Sequence, residues 1–432
     1  MADTTDTITT TIAQIEKLKE DVDAERRIVS ALPPVHTRCE EATLKAQHCK
    51  LLAEKEELYE LTREEQRIAT IARLQEQLHP PTTDDSGHEC PICLDTIDLQ
   101  GLDTTTILVC CGHFLCLECT EANASQSEEN KMRSCPLCRA PFPRDAEEMN
   151  RKVEILAERG NPMAQAKVGD WYMKGVNGRP VNYAKAHQML ERSAENRNAL
   201  SLMLLATAHM KGSGVPQSKS KAMMYMKKSA DVGYAVAQHI LAVQFYLKAG
   251  GKANQRQAVF YTTLAYHNKH DGNKSSRFGS VSSQLGYWFY HGSCGLTKSL
   301  ILAKHYLEQS AAKGFERSYY LLAKTLCELT KLQYKDMPKD IPGYCATPMI
   351  IHWARKAATS RDANRLNAAS LVAEMEADSK QTCAMCCGKA KSFPKPMKRC
   401  MRCKAVWYCG RKCAMKHGKQ GHQKDCIPVG LK

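Results

Sequence analysis

The chain has 432 residues and a mass of 48.3 kDa, which is more than one hydrophobic core usually organises, so its length predicts several domains. Hydrophobic residues make up 43% of the chain and charged residues 25%, with a mean hydropathy of -0.44. No stretch approaches the ~20 apolar residues that a membrane helix needs, so we expect no membrane span. The first residues lack the basic and apolar regions of a secretory signal, which predicts an intracellular protein of the cytoplasm or nucleus.

The formal net charge of +15 is unevenly distributed. Residues 1–80 contain 11 basic and 16 acidic side chains, whereas residues 383–432 contain 13 basic side chains and one acidic side chain, Asp425. The basic end would suit an acidic partner. A protein partner is favoured over nucleic acid, because exposed aromatic residues beyond Trp407 and Tyr408 are missing and metal-bound thiolates would offset part of the charge.

Two amphipathic helices are predicted at the N-terminal end. Apolar residues recur at helical spacing within residues 8–32 and within residues 36–79, and a proline pair closes each run. The pattern predicts a helical hairpin or coiled coil over residues 1–81. An amphipathic helix that lies on its own protein has the same pattern as one that mediates self-association, so both interpretations stay open.

An internal repeat occupies residues 150–375. One series of small residues is spaced by 37, 36, 44 and 37 residues, and a second by 36, 36 and 45, with a polar insertion at residues 268–280 in the longer third interval. The pattern predicts stacked helix pairs with small residues where paired helices meet. A fifth, degenerate unit would pair residues 319–329 with residues 353–358. The first series is Gly169, Ala206, Ala242, Gly286 and Ala323, and the second is Ala186, Ala222, Ala258 and Ala303.

These units resemble Sel-one-like repeats, which are short relatives of the tetratricopeptide repeat. The resemblance implies an α-solenoid that binds proteins. The aliphatic-glycine pair of the family is present at Gly169 and Gly286, whereas Ala206 and Ala242 stand at this position in two other repeats. The segments that carry the resemblance are residues 168–176, 209–215 and 285–296.

The 21 cysteines are concentrated in two stretches, residues 90–138 and residues 383–426. An intracellular chain cannot rely on disulfides, so dense cysteine pairs indicate metal binding. In each stretch, cysteine and histidine residues form four closely spaced pairs, and two such pairs close a tetrahedron around one zinc ion without an open position. The sequence therefore predicts four structural zinc ions, two in each stretch.

The first stretch resembles a RING finger, predicted over residues 86–145, in its order of three cysteines, one histidine and four cysteines. Alternate pairs share a metal ion in this family. Cys110 competes with Cys111, since a C-x-x-H pair would also reach the ion, but the C-G-H form of the family favours Cys111. The implied ligands are Cys90, Cys93, Cys116 and Cys119 at one zinc ion, and Cys111, His113, Cys135 and Cys138 at the other.

RING fingers recruit a ubiquitin-conjugating enzyme, and the resemblance places an apolar docking surface at Ile92, Pro136 and Leu137. Arg139 follows the last ligand, where active RING ligases often carry a basic residue that hydrogen-bonds both the conjugating enzyme and ubiquitin. A solvated surface cation is the alternative for this arginine. Catalysis of this kind is positional, because the ligase orients the ubiquitin thioester near a lysine and forms no covalent intermediate.

The second stretch resembles a MYND zinc finger, predicted over residues 383–426, in its Trp407-Tyr408-Cys409 segment and its closing G-H-Q-K-D-C. The family binds short, often proline-containing peptides. Cys387 and His417 are nearby rival ligands. The implied ligands are Cys383, Cys386, Cys409 and Cys413 at one zinc ion, and Cys400, Cys403, His422 and Cys426 at the other.

Together these patterns predict a multidomain, mainly α-helical protein with an N-terminal helical hairpin or coiled coil, a RING cross-brace finger, an α-solenoid and a C-terminal MYND finger. The predicted function is a RING-type ubiquitin-protein ligase that holds a protein substrate through the repeats and the MYND finger. The alternative is a non-catalytic, zinc-dependent protein-protein interaction scaffold whose RING lacks a working surface for the conjugating enzyme.

Overall fold

The computed structural model describes residues 2–32, 39–78, 88–94, 96–97, 105–116, 118–122, 134–247, 251–268, 276–333, 347–381, 383–384, 390–422 and 426–428. The predicted ligand Cys386 and its rival Cys387 lie outside these residues, as do the proline pairs after the two N-terminal helices. The chain divides into two compact units, residues 1–67 with 279–432 and residues 68–278. None of the described helices has the length and apolar character needed to cross a bilayer.

Helices dominate the described residues, which confirms the predicted fold class. The predicted domain limits stay predictions. The N-terminal helices are α1 (Ala2–Ala31) and α2 (Cys39–Leu78). They are followed by α3 (Ala146–Glu158), α4 (Pro162–Lys174), α5 (Tyr183–Glu195), α6 (Ala199–Lys211), α7 (Lys219–Asp231), α8 (Ala235–Leu247), α9 (Lys252–His267), α10 (Ser276–His291), α11 (Leu300–Ala312), α12 (Arg317–Gln333), α13 (Thr347–Thr359), α14 (Arg365–Ser379) and α15 (Arg411–His417).

Short antiparallel hairpins lie in the two cysteine-rich stretches. Each is a two-stranded sheet, and Thr105 faces Cys116 in the register of the longest one. Isolated hairpins of this size are marginal in water, so both stretches need further stabilisation from bound metal or from the helices. The pairs are β1 (His88–Glu89) with β2 (Thr96–Ile97), β3 (Thr105–Ile107) with β4 (Phe114–Cys116), and β5 (Lys398–Arg399) with β6 (Trp407–Tyr408).

Local sequence signals set the ends of the repeat helices. A polar residue precedes each of several helices, and its side chain accepts a hydrogen bond from the backbone N–H three residues later, which satisfies a donor that the helix leaves unpaired. Gly175 and Gly212 end α4 and α6 with φ of 68° and 75°, a conformation that costs glycine little. The N-terminal caps are Asp145, Asn161, Asn182, Asn198, Ser218 and Ser299.

Glycine is required where the two helices of a repeat approach most closely. A Cβ atom on Gly169 of α4 would lie 2.7 Å from the Leu190 side chain of α5 and 3.3 Å from the carbonyl oxygen of Ala186. Gly286 of α10 has the same relation to Leu307 of α11, again at 2.7 Å. In both repeats the buried leucine therefore fills the space that the missing side chain leaves.

The two repeats that depart from the family pattern carry a compensating change in the second helix. Ala206 and Ala242 stand where the other repeats have glycine, and both are buried. The position that leucine occupies elsewhere is Met226 in one of these repeats and Thr262 in the other. An unbranched or shorter side chain leaves room for a Cβ atom, so the helix pairs remain closely packed.

Gly169→Ala should lower the free energy of unfolding by about 1–3 kcal/mol, because the new methyl group overpacks the contact with Leu190. Urea titration followed by circular dichroism measures the loss. Adding Leu190→Met copies the alanine-methionine pair of the next repeat and should recover part of the stability. A Gly169→Ala variant as stable as the wild type would contradict the packing argument.

The degenerate fifth unit forms as predicted, because α12 packs against α13. The Tyr319 and Trp353 ring centroids lie 5.5 Å apart between these helices, and Ala323 and Ala354 belong to one buried cluster. Helix α14 packs on α13 in turn, which the spacing of small residues did not indicate. The last helix pair is the one nearest in sequence to the second cysteine-rich stretch.

The N-terminal helices α1 and α2 pack on each other, as expected of a helical hairpin. Arg26 of α1 donates a hydrogen bond of 2.8 Å to Glu56 of α2. Glu25, which is buried, lies 2.6 Å from His48 Nδ1 and accepts a hydrogen bond of 3.0 Å from Lys55. The hydrogen bond with His48, followed by that with Lys55, outweighs burial and lowers the pKa of Glu25, so the carboxylate stays charged.

Helix α2 also lies on its own chain. In the unit that contains residues 279–432, the buried Glu64 carboxylate accepts a hydrogen bond of 2.5 Å from the Tyr306 hydroxyl of α11 and a bidentate pair from Arg67. In the unit of residues 68–278, Gln75 donates to the carbonyl oxygen of Asp231 at 3.0 Å. These contacts show that α2 packs on its own chain, and self-association through the N-terminal helices stays a prediction.

Candidate zinc centres and the surface of the first finger

Three C-x-x-C turns in the two fingers share one backbone geometry. The N–H of the residue after the second cysteine donates to the carbonyl oxygen of the first cysteine, at 2.8 Å for Leu94, 3.0 Å for Arg139 and 3.0 Å for Lys404. These three residues have φ of 64°, 60° and 53°, in the left-handed region. The turn thereby brings both cysteines of a pair to the same side, and it fixes the backbone of Arg139 directly after the last cysteine of the first finger.

The first cluster contains Cys90, Cys93, Cys116 and Cys119, as the RING resemblance implied. Their sulfur atoms all lie within 4.8 Å of one another, and those of Cys93 and Cys116 are 3.7 Å apart. Two thiolates bound tetrahedrally at ~2.3 Å from a zinc ion are about 3.8 Å apart. The four residues therefore fit a closed, structural zinc site.

The second cluster differs from the predicted ligand set at one position. It contains Cys110, Cys111, Cys135 and Cys138, with 3.3 Å between the sulfur atoms of Cys110 and Cys138 and 3.9 Å between those of Cys111 and Cys135. The predicted ligand His113 is exposed and is not part of this cluster. Cys110, which the sequence presented as a competitor of Cys111, instead lies beside it in the same cluster.

The turn between β3 and β4 explains this difference. The backbone N–H groups of Cys111 and Gly112 both donate to the carbonyl oxygen of Leu108, at 3.2 Å and 2.7 Å, and Gly112 has φ of 79°. The chain reverses there, so the carbonyl oxygen of His113 accepts a hydrogen bond from Leu108 at 2.8 Å. Two adjacent cysteines in the turn thus reach the cluster, while His113 directly precedes the returning strand β4.

The pKa values of the clustered thiols show why these sites suit a cation. Burial tends to raise the pKa of Cys90, but backbone N–H groups of Cys116, Cys93 and Ile92 outweigh it and lower the pKa to about 6. In the same cluster, the side-chain hydrogen bond with Cys116, together with burial, raises the pKa of Cys119 to about 11. Neighbouring thiolates repel one another, so four of them ionise together only around a divalent cation, and soft sulfur donors favour zinc.

In the second finger, Cys400, Cys403, His422 and Cys426 form one cluster, as predicted. His422 Nε2 lies 3.5 Å from the Cys400 sulfur and 3.9 Å from the Cys403 sulfur, and the Cys400 and Cys426 sulfurs are 3.7 Å apart. These distances fit the same tetrahedral geometry with one imidazole nitrogen.

The other predicted set of the second finger is described in part. Cys383, Cys409 and Cys413 lie together, with 3.5 Å between the sulfur atoms of Cys409 and Cys413. The backbone N–H of Cys409 donates to the Cys383 sulfur at 3.4 Å. The fourth predicted ligand, Cys386, falls outside the described residues. Together the two fingers offer four clusters that fit four zinc ions.

The rival ligand His417 contacts a metal ligand and is not itself in a metal cluster of the described residues. It is buried, its Nδ1 lies 3.0 Å from the Tyr408 hydroxyl, and its ring stacks on His422 at a centroid distance of 4.8 Å. Burial, followed by the effect of His422, lowers the pKa of His417 to about 4, so this ring is neutral at physiological pH. His417 is not part of a described ligand cluster and instead packs against the ligand His422.

The first finger shares a hydrophobic core with the repeat array. Ile107 and Val109, on either side of the buried Leu108, belong to one cluster with Val153 and Leu156 of α3 and with residues of α4. Lys152 of α3 also donates a hydrogen bond of 3.3 Å to the carbonyl oxygen of a proline in the finger. The finger is therefore held on the first helices of the array and is not joined to them by a linker alone.

The second finger is held on α13 and α14 in a similar way. Ile351 of α13 is fully buried in a cluster with Cys403, Val406 and other residues of the finger. The guanidinium of Arg355 donates to the carbonyl oxygens of Cys403 and Lys404, at 2.9 Å and 3.2 Å, and to Glu376 of α14 at 2.6 Å. One arginine thus connects a zinc-binding turn to both helices of the last pair.

Two large apolar side chains are exposed on the first turn of the first finger. Ile92 is 48% exposed, as a docking residue requires, and Leu94 beside it is 70% exposed. Leu94 was not among the predicted docking residues, although its position as an apolar residue directly after a zinc ligand was a signal for it. Pro136 and Leu137 are half-buried, and Leu137 packs on the core of the finger. Arg139 is exposed at the end of the last turn.

Comparisons with family models agree with these assignments. The chain carries a RING-type finger, Sel1 repeats and a C-terminal MYND finger. This confirms the resemblances drawn from the sequence. The matches are to the RING-type zinc-finger over residues 90–136, the MYND finger over residues 381–426, and the Sel1 repeat over residues 162–198, 199–234, 235–270 and 283–315.

Some curated proteins are similar to short segments of the chain. Tripartite motif-containing protein 5 of Alouatta sara is 39% identical over 70 residues, which are 16% of this chain and 11% of that protein. Ubiquitin carboxyl-terminal hydrolase 15 of Arabidopsis thaliana is 38% identical over 60 residues, which are 14% of this chain and 6% of that protein. The chain therefore spans only a small part of these relatives.

Solved structures of repeat proteins are similar over about half of the chain. The protective antigen c5321 of uropathogenic Escherichia coli, which displays an SLR fold, is 23% identical with a TM-score of 0.40, covering 52% of this chain and 44% of that one. A Sel1 repeat protein from Oxalobacter formigenes is 20% identical with a TM-score of 0.39, covering 54% and 84%. These TM-scores are low, and the repeat assignment rests on the family model and on the helix pairs described above.

Removal of zinc with a strong chelator should unfold both fingers while most of the helical signal remains, because the repeats bury cores of their own. Circular dichroism measures the helices, and a zinc-sensitive dye measures the metal released, which we expect to be four ions per chain. If all helical signal were lost together with the metal, the repeats would not be stable without the zinc-bound fingers, which would contradict the prediction.

Arg355→Ala should destabilise the second finger by about 1–3 kcal/mol, because two carbonyl oxygens of a zinc-binding turn lose a charged donor. Zinc release during urea titration measures the change. Arg365→Ala, which alters an exposed arginine at the start of α14, is the matched control and should behave as the wild type. Equal effects of the two substitutions would show that Arg355 does not hold the finger.

Proposed function

We propose that the protein is an intracellular RING-type ubiquitin-protein ligase. In this proposal the first finger binds a ubiquitin-conjugating enzyme that carries ubiquitin as a thioester, while the repeats and the second finger hold a protein substrate. An intracellular location agrees with clusters of reduced thiols. The observation that carries the proposal is the exposed apolar turn of Ile92 and Leu94 on a finger that matches the RING-type family.

The exposed turn has the properties of a docking surface. Contiguous exposed apolar patches often mark sites where a protein binds a partner. The turn that carries Ile92 and Leu94 is anchored by the hydrogen bond from Leu94 to Cys90, so these side chains project from a rigid backbone. A preorganised surface loses little conformational entropy when a conjugating enzyme binds.

Arg139 is the residue that we propose to act on the bound thioester conjugate. Its backbone is fixed by the hydrogen bond from its N–H to Cys135, and its side chain is exposed. A planar guanidinium donates in several directions, so it can contact the conjugating enzyme and ubiquitin together. Holding the thioester in a reactive orientation lowers the entropic part of the barrier to attack by a substrate lysine.

The repeat array offers a surface for the substrate. A groove of about 750 Å³ is lined by successive first helices of the repeats, α4, α6 and α8. Its lining combines the aromatic Trp171 and Tyr234 with the apolar Met203 and the basic Lys167. Such a mixture suits a peptide segment with apolar and acidic side chains. We propose that this groove, together with the basic second finger, holds the substrate.

Autoubiquitination by the full-length zinc-loaded chain, with a panel of conjugating enzymes, tests the ligase. Ile92→Ala and Arg139→Ala should each reduce chain formation by about tenfold or more, because each removes a contact worth over ~1.4 kcal/mol with the bound conjugate. Lys404→Ala is the matched control, since it removes a basic side chain at the equivalent turn of the second finger. Zinc content must be equal in all variants.

The second candidate is a non-catalytic scaffold. It is favoured by the half-buried Leu137, which packs on the core of the first finger and so contributes less to a docking surface than the RING resemblance implies. In that case no conjugating enzyme in the panel would form chains with the wild type. If the wild type forms chains and both Ile92→Ala and Arg139→Ala form them equally well, the proposed docking surface is also excluded.

Self-association through the N-terminal helices is a further part of the proposal. Both α1 and α2 keep large apolar side chains exposed although the two helices pack on each other. A pair of first fingers brought together in this way would present two bound conjugating enzymes. The exposed residues are Ile12, Ile28, Leu51, Leu58, Leu74 and Leu78.

A further inference from the structure

The groove on the first helices of the repeats contains a cation that no acidic group of the described residues neutralises. Helix α4 contributes the basic Lys167 and Lys174 and the acidic Asp170 to its lining. Asp170 is committed to Lys174, whose Nζ lies 2.7 Å from Asp170 Oδ2. Lys167 forms no ion pair or hydrogen bond with any residue that the structure describes. The groove therefore offers one positive charge without a counter-ion.

The position of Lys167 makes an unpaired charge costly. Its sequence neighbours Ala166 and Val168 are buried, and Lys167 itself is half-buried. Burial lowers the pKa of Lys167, and no acidic neighbour among the described residues opposes this effect. Because the free protein already bears much of the cost of removing this amine from water, a carboxylate that enters the groove gains an ion pair at a smaller desolvation cost.

The aromatic part of the lining lies close to this cation and is held in place. Trp171 follows Lys167 by four residues, so both side chains lie on the same face of α4. The guanidinium of Arg179 lies 5.3 Å from the Trp171 ring centroid and is itself bound to Glu154. On the next first helix, α6, Met203 packs against a buried cluster of the repeats. An apolar side chain of a ligand thus meets a surface that needs little rearrangement.

We propose that the groove binds an acidic peptide segment of a partner protein, in which a carboxylate pairs with Lys167 and a neighbouring apolar side chain lies against Trp171. Charge complementarity selects this occupant, because the backbone of a nucleic acid would need several unpaired cations. The volume of about 750 Å³ is within the range of sites that enclose several side chains. The inference rests on the proposed function only in naming the substrate segment, since binding needs neither a conjugating enzyme nor ubiquitin.

Fluorescence anisotropy with the full-length, zinc-loaded chain measures this selection. The probe is a labelled library of short peptides with paired aspartates between varied apolar residues, and a matched library has asparagine in place of aspartate. The wild type should bind the best aspartate peptide at least about tenfold more tightly than its asparagine counterpart, and Lys167→Met should abolish the difference. Lys227→Met, which removes an exposed lysine of α7 outside the groove lining, is the control and should keep it.

Two further measurements do not depend on the folding of Lys167→Met. Lys167→Arg keeps the positive charge and should keep the preference for aspartate. Aspartate peptides should also raise the unfolding temperature of the wild type more than asparagine peptides do, because a ligand stabilises the state that it binds. Equal binding of both libraries by the wild type, binding of neither, or an unchanged preference in folded Lys167→Met would overturn the proposal.

Other occupants give different results. Displacement of the peptides by inorganic phosphate at the same concentration would show a simple anion site, and loss of peptide binding as the chain dimerises would assign the groove to a second copy. Either result would overturn the proposal. Selective peptide binding without autoubiquitination would support this inference and reject the ligase, whereas an active ligase without peptide selection would reject this inference alone.

Discussion

The electrostatics of clustered thiols is the constraint on which both fingers depend. Three or four cysteine sulfur atoms within 4.8 Å of one another cannot all be charged without a divalent cation between them, and they bind the cation only when they are charged. Backbone N–H groups prepare part of this charge, as the lowered pKa of Cys90 shows. Because hairpins of two or three residues have little core of their own, metal binding and the folding of each finger are one equilibrium.

The helices supply what the fingers lack. Val153 and Leu156 of α3 complete a core beneath the first finger, and Ile351 with Arg355 of α13 does the same for the second. A partner bound to either finger is therefore held at a defined position on its own helical support. In the proposed function, which relies on positioning, such rigid attachment would matter more than a reactive side chain.

The sequence predicted much of this organisation because its signals are local. The spacing of cysteine and histidine residues indicated the candidate ligands, and the RING and MYND resemblances implied three of the four clusters as far as they are described. The period of small residues indicated the helix pairs, including α12 with α13. Two results needed contacts between distant residues. The compensation between Gly169 and Leu190 depends on two facing helices, and the exposure of Leu94 depends on what the finger leaves uncovered.

The sequence by itself determined which residues could bind metal and where helices begin, pair and end, since ligand chemistry and helix caps are properties of neighbouring residues. The tertiary structure decided which of Cys110, Cys111 and His113 meet Cys135 and Cys138, because the turn at Gly112 sets the direction of each side chain. It also decided that α2 lies on its own chain, since the bond between Glu64 and Tyr306 joins residues that only the folded backbone brings together.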